Sequence, residues 1–63
     1  MDSKLIHKAM KDRLPVIYEG KRYDRIAEYV AWYDEGQKLH LSAGLIIGNS
    51  LIRVDAAKVE MED

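Results

Sequence analysis

Apolar and polar residues alternate along residues 25–54 with the two-residue period of β-strands. The alternation runs through RIAEYVAWY, stops at DEGQ, resumes in KLHLSAGLII, stops at GN and ends in SLIRV. Each interruption contains a glycine, the residue that tight hairpin turns favour. The pattern therefore predicts two consecutive β-hairpins, with Glu35–Gly36 and Gly48–Asn49 as two-residue turns.

The two turns together predict the face on which each residue of the three strands lies. Counting outward from both turns places eight apolar residues on one face: Ile26, Val30, Trp32, Leu39, Leu41, Leu45, Ile52 and Val54. A slip of one residue would move the whole set to the opposite face. We therefore expect Trp32 to be a core anchor. Glu28 falls on the same face, and a β-bulge or a position at a barrel rim would bring its carboxylate to water.

The N-terminal residues predict a short amphipathic helix over about residues 3–13. Leu5, Ile6 and Met10 recur at nearly helical spacing, with lysines mostly between them. Pro15 disfavours helical geometry in the residue before it and ends the helix. A helix this short is marginal in water by itself, so its apolar face is expected to dock on the sheet or on a partner.

A first strand, Pro15–Tyr18, is predicted between this helix and the tandem hairpin. Proline is tolerated at the first residue of a strand, where pairing has barely begun. Glu19–Gly20 then predicts a tight turn into a second strand that starts at Lys21. This strand is expected to run to about Tyr33 and to bend near residues 25–28.

The C-terminal residues predict the elements that complete the fold. Residues 55–58 are typical of a single helical turn, and residues 59–62 alternate as an edge strand does. One turn of 3₁₀ helix before a closing strand is also how small SH3-like barrels end. We therefore expect a mainly β fold: a small, strongly bent, five-stranded SH3-like barrel over about residues 15–62, with one N-terminal amphipathic helix. The whole chain, 1–63, is expected to form a single domain.

Length and composition narrow the class of protein further. Sixty-three residues allow one domain, and the absence of cysteine excludes disulfides and thiolate metal sites. No apolar run approaches the roughly 20 residues of a membrane span, and the N-terminus does not resemble a secretory signal, so we expect a cytoplasmic protein. The net charge of −1 is divided into +3 over residues 1–25 and −4 over residues 26–63. This division indicates either two solvated faces of opposite sign, or head-to-tail self-association or a basic N-terminal contact surface.

The second face of the tandem hairpin is the candidate contact face. Five of its residues are the candidate site residues: Arg25, Tyr29, Tyr33, His40 and Arg53. Small residues such as Ala31 and Gly44 lie between them and would leave a shallow trough. The tyrosines could stack on bases or a peptide while the arginines bind phosphate or carboxylate. Alternatively, the small residues make room for the N-terminal helix, or a tyrosine covers the cross-strand glycine.

Residue types that perform catalysis or bind metals do not cluster in this sequence. The two histidines, His7 and His40, lie on different elements without a carboxylate at a metal-ligand spacing. Asp34 and Glu35 belong to a predicted turn. A chain this small is also expected to lack a pocket that excludes water from a substrate. We therefore predict no enzyme activity, no cofactor, no metal site and no small-molecule substrate.

Two segments of the chain resemble a known group of proteins. PVIYEG and YDRI, residues 15–20 and 23–26, are followed by a terminal IRVDAAKVEM. Together with the amphipathic helix, they are similar to small uncharacterised proteins encoded in prophage regions of Gram-positive bacteria. The resemblance extends over nearly the whole chain. It implies an SH3-like barrel with an N-terminal helix and a phage context, and it implies no catalytic residues.

These observations lead to two hypotheses of function. The first is a non-catalytic interaction or assembly module, possessing an edge strand at Val59–Glu62 or Pro15–Tyr18 for backbone pairing with a protein partner or a second copy. The alternative is a nucleic-acid-binding small barrel that uses the Tyr/Arg strand face. The nearly neutral charge counts against the alternative, because neutralisation of phosphates dominates such binding.

Overall fold

The computed structural model describes residues 2–62, which form one α-helix, six β-strands and one 3₁₀ turn. In chain order these are α1 (Ser3–Asp12), β1 (Val16–Tyr18), β2 (Lys21–Tyr23), β3 (Arg25–Tyr33), β4 (Leu39–Ile47), β5 (Ser50–Asp55), the 3₁₀ turn Ala56–Lys58 and β6 (Val59–Met61). The predictions of a mainly β fold and of one N-terminal helix are confirmed. Within the described part of the chain, no helix is long and apolar enough to cross a membrane.

The strands form two three-stranded antiparallel sheets, in the orders β2-β1-β6 and β3-β4-β5, that do not close into a barrel. The predicted long second strand is divided at Asp24, whose N–H donates to the Ile46 carbonyl at 2.7 Å. Its carboxylate accepts the Gly48 N–H at 3.0 Å. Asp24 thus joins the corner between β2 and β3 to the β4–β5 turn. Because β1 lies between β2 and β6, the prediction that Pro15–Tyr18 offers a free edge is wrong, whereas β6 is an edge strand.

Helix α1 covers the space between the two sheets. Among residues 2–62, nine buried apolar residues from the helix, the 3₁₀ turn and both sheets form the core: Ile6, Ala9, Val16, Tyr23, Ile26, Ala43, Leu45, Ala56 and Val59. Met10 is half-buried against this core, but Leu5 is 42% exposed. The helix therefore docks through Ile6, Ala9 and Met10, so the predicted Leu5/Ile6/Met10 face is confirmed at Ile6 and Met10 and wrong at Leu5.

Both ends of α1 are capped by groups close in sequence. The Asp2 carboxylate accepts the Leu5 N–H at 3.0 Å, which satisfies one free donor of the first turn. At the other end, Arg13 adopts a left-handed conformation with φ 54°, and the Leu14 N–H bonds back to the Ala9 carbonyl at 2.9 Å. Glycine is the residue that usually occupies this left-handed position at the end of a helix.

Two of the three predicted tight turns are confirmed. Glu19–Gly20 connects the paired residues of β1 and β2, with positive φ at both positions, and Gly48–Asn49 connects β4 to β5. The third, Glu35–Gly36, is wrong as a two-residue turn, because the residue with positive φ is Gln37, at 65°. The Gln37 N–H bonds to the Asp34 carbonyl at 3.0 Å, and this longer loop changes the strand register.

A β-bulge at Ala27 separates two registers in the β3–β4 pair. Ile26 lies opposite Leu45, as predicted, but Glu28 lies opposite Gly44 and Trp32 opposite His40. We call the side of this sheet that holds Ile26, Ala43 and Leu45 the inner face, and the other side the outer face. The bulge was predicted as an explanation for Glu28, yet it also shifts every later residue of β3 by one position against β4.

The left-handed Arg13 gives the first test of this fold. Arg13→Gly should raise the free energy of unfolding by about 1 kcal/mol, because a Cβ atom is strained in this conformation. Urea unfolding measures the change, and Arg13→Ala is the matched control because it removes the charge but keeps the Cβ atom. Equal stabilisation by both variants would contradict the assignment of strain to the backbone.

Candidate functional site

The structure divides the five predicted site residues between the two faces of the β3–β4–β5 sheet. The pairing places Arg25, His40 and Arg53 on the outer face, beside Ile46, Trp32 and Gly44 respectively, and places Tyr29 and Tyr33 on the inner face. The prediction that all five share one face is therefore wrong, and the reason is the one-residue shift after Ala27. The alternative, in which the N-terminal helix packs against the predicted contact face, holds for Tyr29. Its ring packs edge-on against that of His7 on α1, with the ring centroids 5.8 Å apart.

The loop end of the β3–β4 hairpin extends beyond the packed core. Trp32 and Tyr33, at the end of β3, are 45% and 66% exposed, and Leu39 and Leu41, at the start of β4, are 48% and 39% exposed. Tyr33, Leu39 and Leu41 lie on the inner face, whereas Trp32 lies on the outer face. Trp32 is thus not the predicted core anchor. We call these four residues the hairpin-tip surface.

A hydrogen-bonded cluster holds the outer side of this hairpin end in a fixed geometry. The Trp32 and His40 rings stack with centroids 4.3 Å apart and planes inclined by 15°. The indole N–H of Trp32 donates to Ser42 Oγ at 3.2 Å. The His40 Nε2 lies 2.8 Å from Asp34 Oδ2, while Asp34 Oδ1 accepts the N–H groups of Gly36 and Lys38. Asp34 therefore connects the strand pair to its loop.

These contacts shift the ionisation of Asp34. The hydrogen bond with His40, followed by the backbone N–H of Lys38 and that of Gly36, holds the pKa of the Asp34 carboxyl below its ordinary value of 3.8. In the other sheet, burial, followed by the neighbouring Glu19 carboxylate, raises the pKa of the Tyr18 hydroxyl. Tyr18 lies on β1 and is not part of the hairpin-tip surface.

An ion pair crosses the middle of the outer face above a glycine. Arg53 on β5 donates two hydrogen bonds to Glu28 Oε1 on β3, at 2.7 and 3.2 Å. Gly44 lies between these residues on β4, and a Cβ atom there would be 2.5 Å from Glu28 Cγ. The strand glycine is thus covered by a glutamate and not by a tyrosine. Sequence reasoning missed this pair because its register placed Gly44 opposite Ala27.

A shallow groove of about 510 Å³ lies beside the hairpin-tip surface. The groove is bordered by the end of β3, the first half of β4 and the end of β5: Trp32, Lys38, Leu39, His40, Leu41, Ser42, Arg53, Val54 and Asp55. Within residues 2–62, no group of three histidine or acidic side chains could hold a metal ion. The groove is bordered by both apolar and charged side chains, the charged ones being Lys38, Arg53 and Asp55. The exposed apolar and aromatic contact area lies on the hairpin-tip surface itself.

The chain has no match among protein-family models, curated proteins or solved structures. The assignment of a function therefore depends on the geometry of the hairpin-tip surface and the sheet edges.

The contact between Glu28 and Gly44 gives a second test. Gly44→Ala should lower the free energy of unfolding by about 1–3 kcal/mol, because the added methyl group displaces the glutamate side chain. The cost should be smaller in a Glu28→Ala background, where that clash is absent. A double-mutant cycle by urea unfolding measures the coupling, and an equal cost in both backgrounds would contradict the contact.

The Asp34 cluster predicts a pH dependence of stability. Because the folded pKa of Asp34 lies below its unfolded value, the ionised group stabilises the fold above about the ordinary 3.8, and this contribution is lost as the pH falls through the folded pKa. The wild type should therefore be more stable than Asp34→Asn at neutral pH, and the difference should vanish in acid. Urea unfolding at a series of pH values measures it, and a constant difference would count against the cluster.

Proposed function

We propose that this protein is a non-catalytic interaction module and that the hairpin-tip surface is its contact site for protein. The observation that supports this most directly is the concentration of exposed large apolar residues at one end of one hairpin. Trp32, Tyr33, Leu39 and Leu41 lie on adjoining positions of β3 and β4, and each is more than one third exposed. Aromatic residues that are held rigidly and lie near the surface are typical of the centres of protein interfaces.

The rigidity of the site also favours recognition. The stack of Trp32 on His40 and the Asp34 bonds to the loop hold the tip before any partner arrives. Binding to a fixed surface loses less side-chain entropy than binding to a mobile one. The tip therefore has both the apolar area and the order that an interaction module needs.

The order of the elements supports an SH3-like architecture for the module. A strand divided at a corner contributes to both sheets through β2 and β3, and a 3₁₀ turn at Ala56–Lys58 precedes the final strand. These features agree with the fold that the resemblance to prophage-encoded proteins implies. The same resemblance implies a phage context, and on that basis we propose an assembly role for the module.

The arrangement of charges disfavours the alternative of nucleic-acid binding. The guanidinium of Arg53 is already bonded to Glu28, and the tyrosines lie on the opposite face. The predicted combination of tyrosines for bases and arginines for phosphates on one surface is therefore not formed. Salt-dependent binding of the chain to single-stranded oligonucleotides would instead favour the alternative.

Site-specific photo-crosslinking in cells that make the full chain tests the proposal. A photoreactive amino acid in place of Leu39 should give a discrete covalent adduct with protein. The same amino acid in place of Leu51, which is 51% exposed on β5, should not. A second change in the tip, Leu41→Ser, should reduce the Leu39 adduct while the fold is retained by circular dichroism. Adducts of equal yield from both positions, or from neither, would contradict the proposal.

A further inference from the structure

The second half of β3 is a sheet edge with an uncharged sequence, half-buried at Tyr29 and Val30 and exposed from Ala31 to Tyr33. β3 is the outermost strand of its sheet and pairs only with β4 in that sheet. Its residues 29–33 read YVAWY, without charge or proline, and the last three are exposed. Natural proteins usually protect such an edge with lysine, proline or a bulge. The bulge of β3 lies at Ala27, before this segment, and leaves it unprotected.

The backbone of this segment is oriented for pairing. Asp34 donates its N–H to the Lys38 carbonyl across the hairpin at 3.1 Å. Backbone directions alternate along an antiparallel strand. The N–H and C=O groups of Tyr29, Ala31 and Tyr33 therefore point away from β4, toward the open side of the sheet. They form a row of donors and acceptors that an added strand can bond.

The side chains of this segment are complementary to a second copy of themselves. If two β3 edges pair antiparallel about a twofold axis at Ala31, Ala31 lies opposite its own copy and Tyr29 opposite the partner's Tyr33. On the other face, Val30 lies opposite the partner's Trp32. Aromatic–aromatic and aromatic–β-branched pairs are both favourable across strands, and the small alanine pair leaves room at the axis. No like charges meet, because the segment has none.

We propose that this chain forms a twofold symmetric dimer through antiparallel pairing of residues 29–33 of β3. The inference builds on the proposed function and names a second copy of the chain as one partner of the hairpin end. An isologous contact of this kind closes after two copies and leaves the Leu39 and Leu41 side of the hairpin open. Five residues from each chain give less contact than a standard interface, so the dimer is weak and depends on concentration.

Sedimentation equilibrium on the intact chain tests the dimer. The apparent mass should rise from 7.3 kDa toward twice that value with concentration and should not exceed it. Ala31→Lys places two like charges across the axis and should weaken dimerisation by roughly tenfold or more. Leu51→Lys adds the same charge on exposed β5 and should have little effect. A monomer at every concentration, a larger assembly or equal effects of both variants would overturn the proposal.

Disulfide trapping tests the register, because the chain has no cysteine of its own. Directly opposite residues in a hydrogen-bonded antiparallel pair have Cα atoms about 5.5 Å apart, within the range of a disulfide. Ala31→Cys should therefore form a covalent dimer on mild oxidation. Tyr33→Cys should not, since the two substituted positions would be roughly 13 Å or more apart along the strands. Equal crosslinking of both variants, or none, would overturn the register.

The failure of this inference can be distinguished from the failure of the proposed function. If Ala31→Cys gives no covalent dimer while Leu39 still crosslinks to another protein, the β3 dimer is wrong and the interaction module stands. If a dimer forms through Ala31 and Leu39 gives no adduct, the pairing is right and the hairpin-tip surface is not the contact site.

Discussion

One extra residue in β3 determines how the second sheet presents its two faces. In a regular strand, Ile26 and Glu28 would point to the same side, and either the isoleucine would lose its burial or the carboxylate would enter the core. The bulge at Ala27 removes this conflict, because it leaves Ile26 fully buried opposite Leu45 and moves Glu28 to the outer face. The burial of an aliphatic side chain and the hydration of a carboxylate together fix the position of the bulge.

The bulge also determines what the rest of the hairpin can do. After it, Glu28 crosses Gly44 to bond Arg53, and Trp32 stacks on His40 instead of entering the core. The inner face beyond Ala31 continues past the end of the core, so its apolar residues are exposed. The hairpin end is thus both ordered and apolar, which is the basis for the interaction role proposed above.

Much of the fold could be predicted from the sequence, and the errors in the β3–β4 register come from the loop at Asp34 and the bulge at Ala27. The helix, the first strand, the Gly48–Asn49 turn and the final 3₁₀ turn follow from propensity and hydrophobic period. The loop at Asp34 could not, because its turn depends on side-chain bonds to two backbone N–H groups and places Gln37, not glycine, in the left-handed region. Glu28 was the one sequence signal of a bulge, but alternation alone cannot reveal that the residues after it also change faces.

The most direct test of this account is to measure the register of β3 against β4 in solution. In antiparallel strands, two residues that lie directly opposite each other as a non-hydrogen-bonded pair have their Hα atoms close together. The bulged register predicts nuclear Overhauser contacts between the Hα atoms of Ala31 and Leu41, and between those of Tyr29 and Ala43. Contacts between the Hα atoms of Ala31 and His40 instead would show an unshifted register. That result would contradict the assignment of residues to the inner and outer faces, the Glu28–Arg53 ion pair and the proposed pairing of β3 edges.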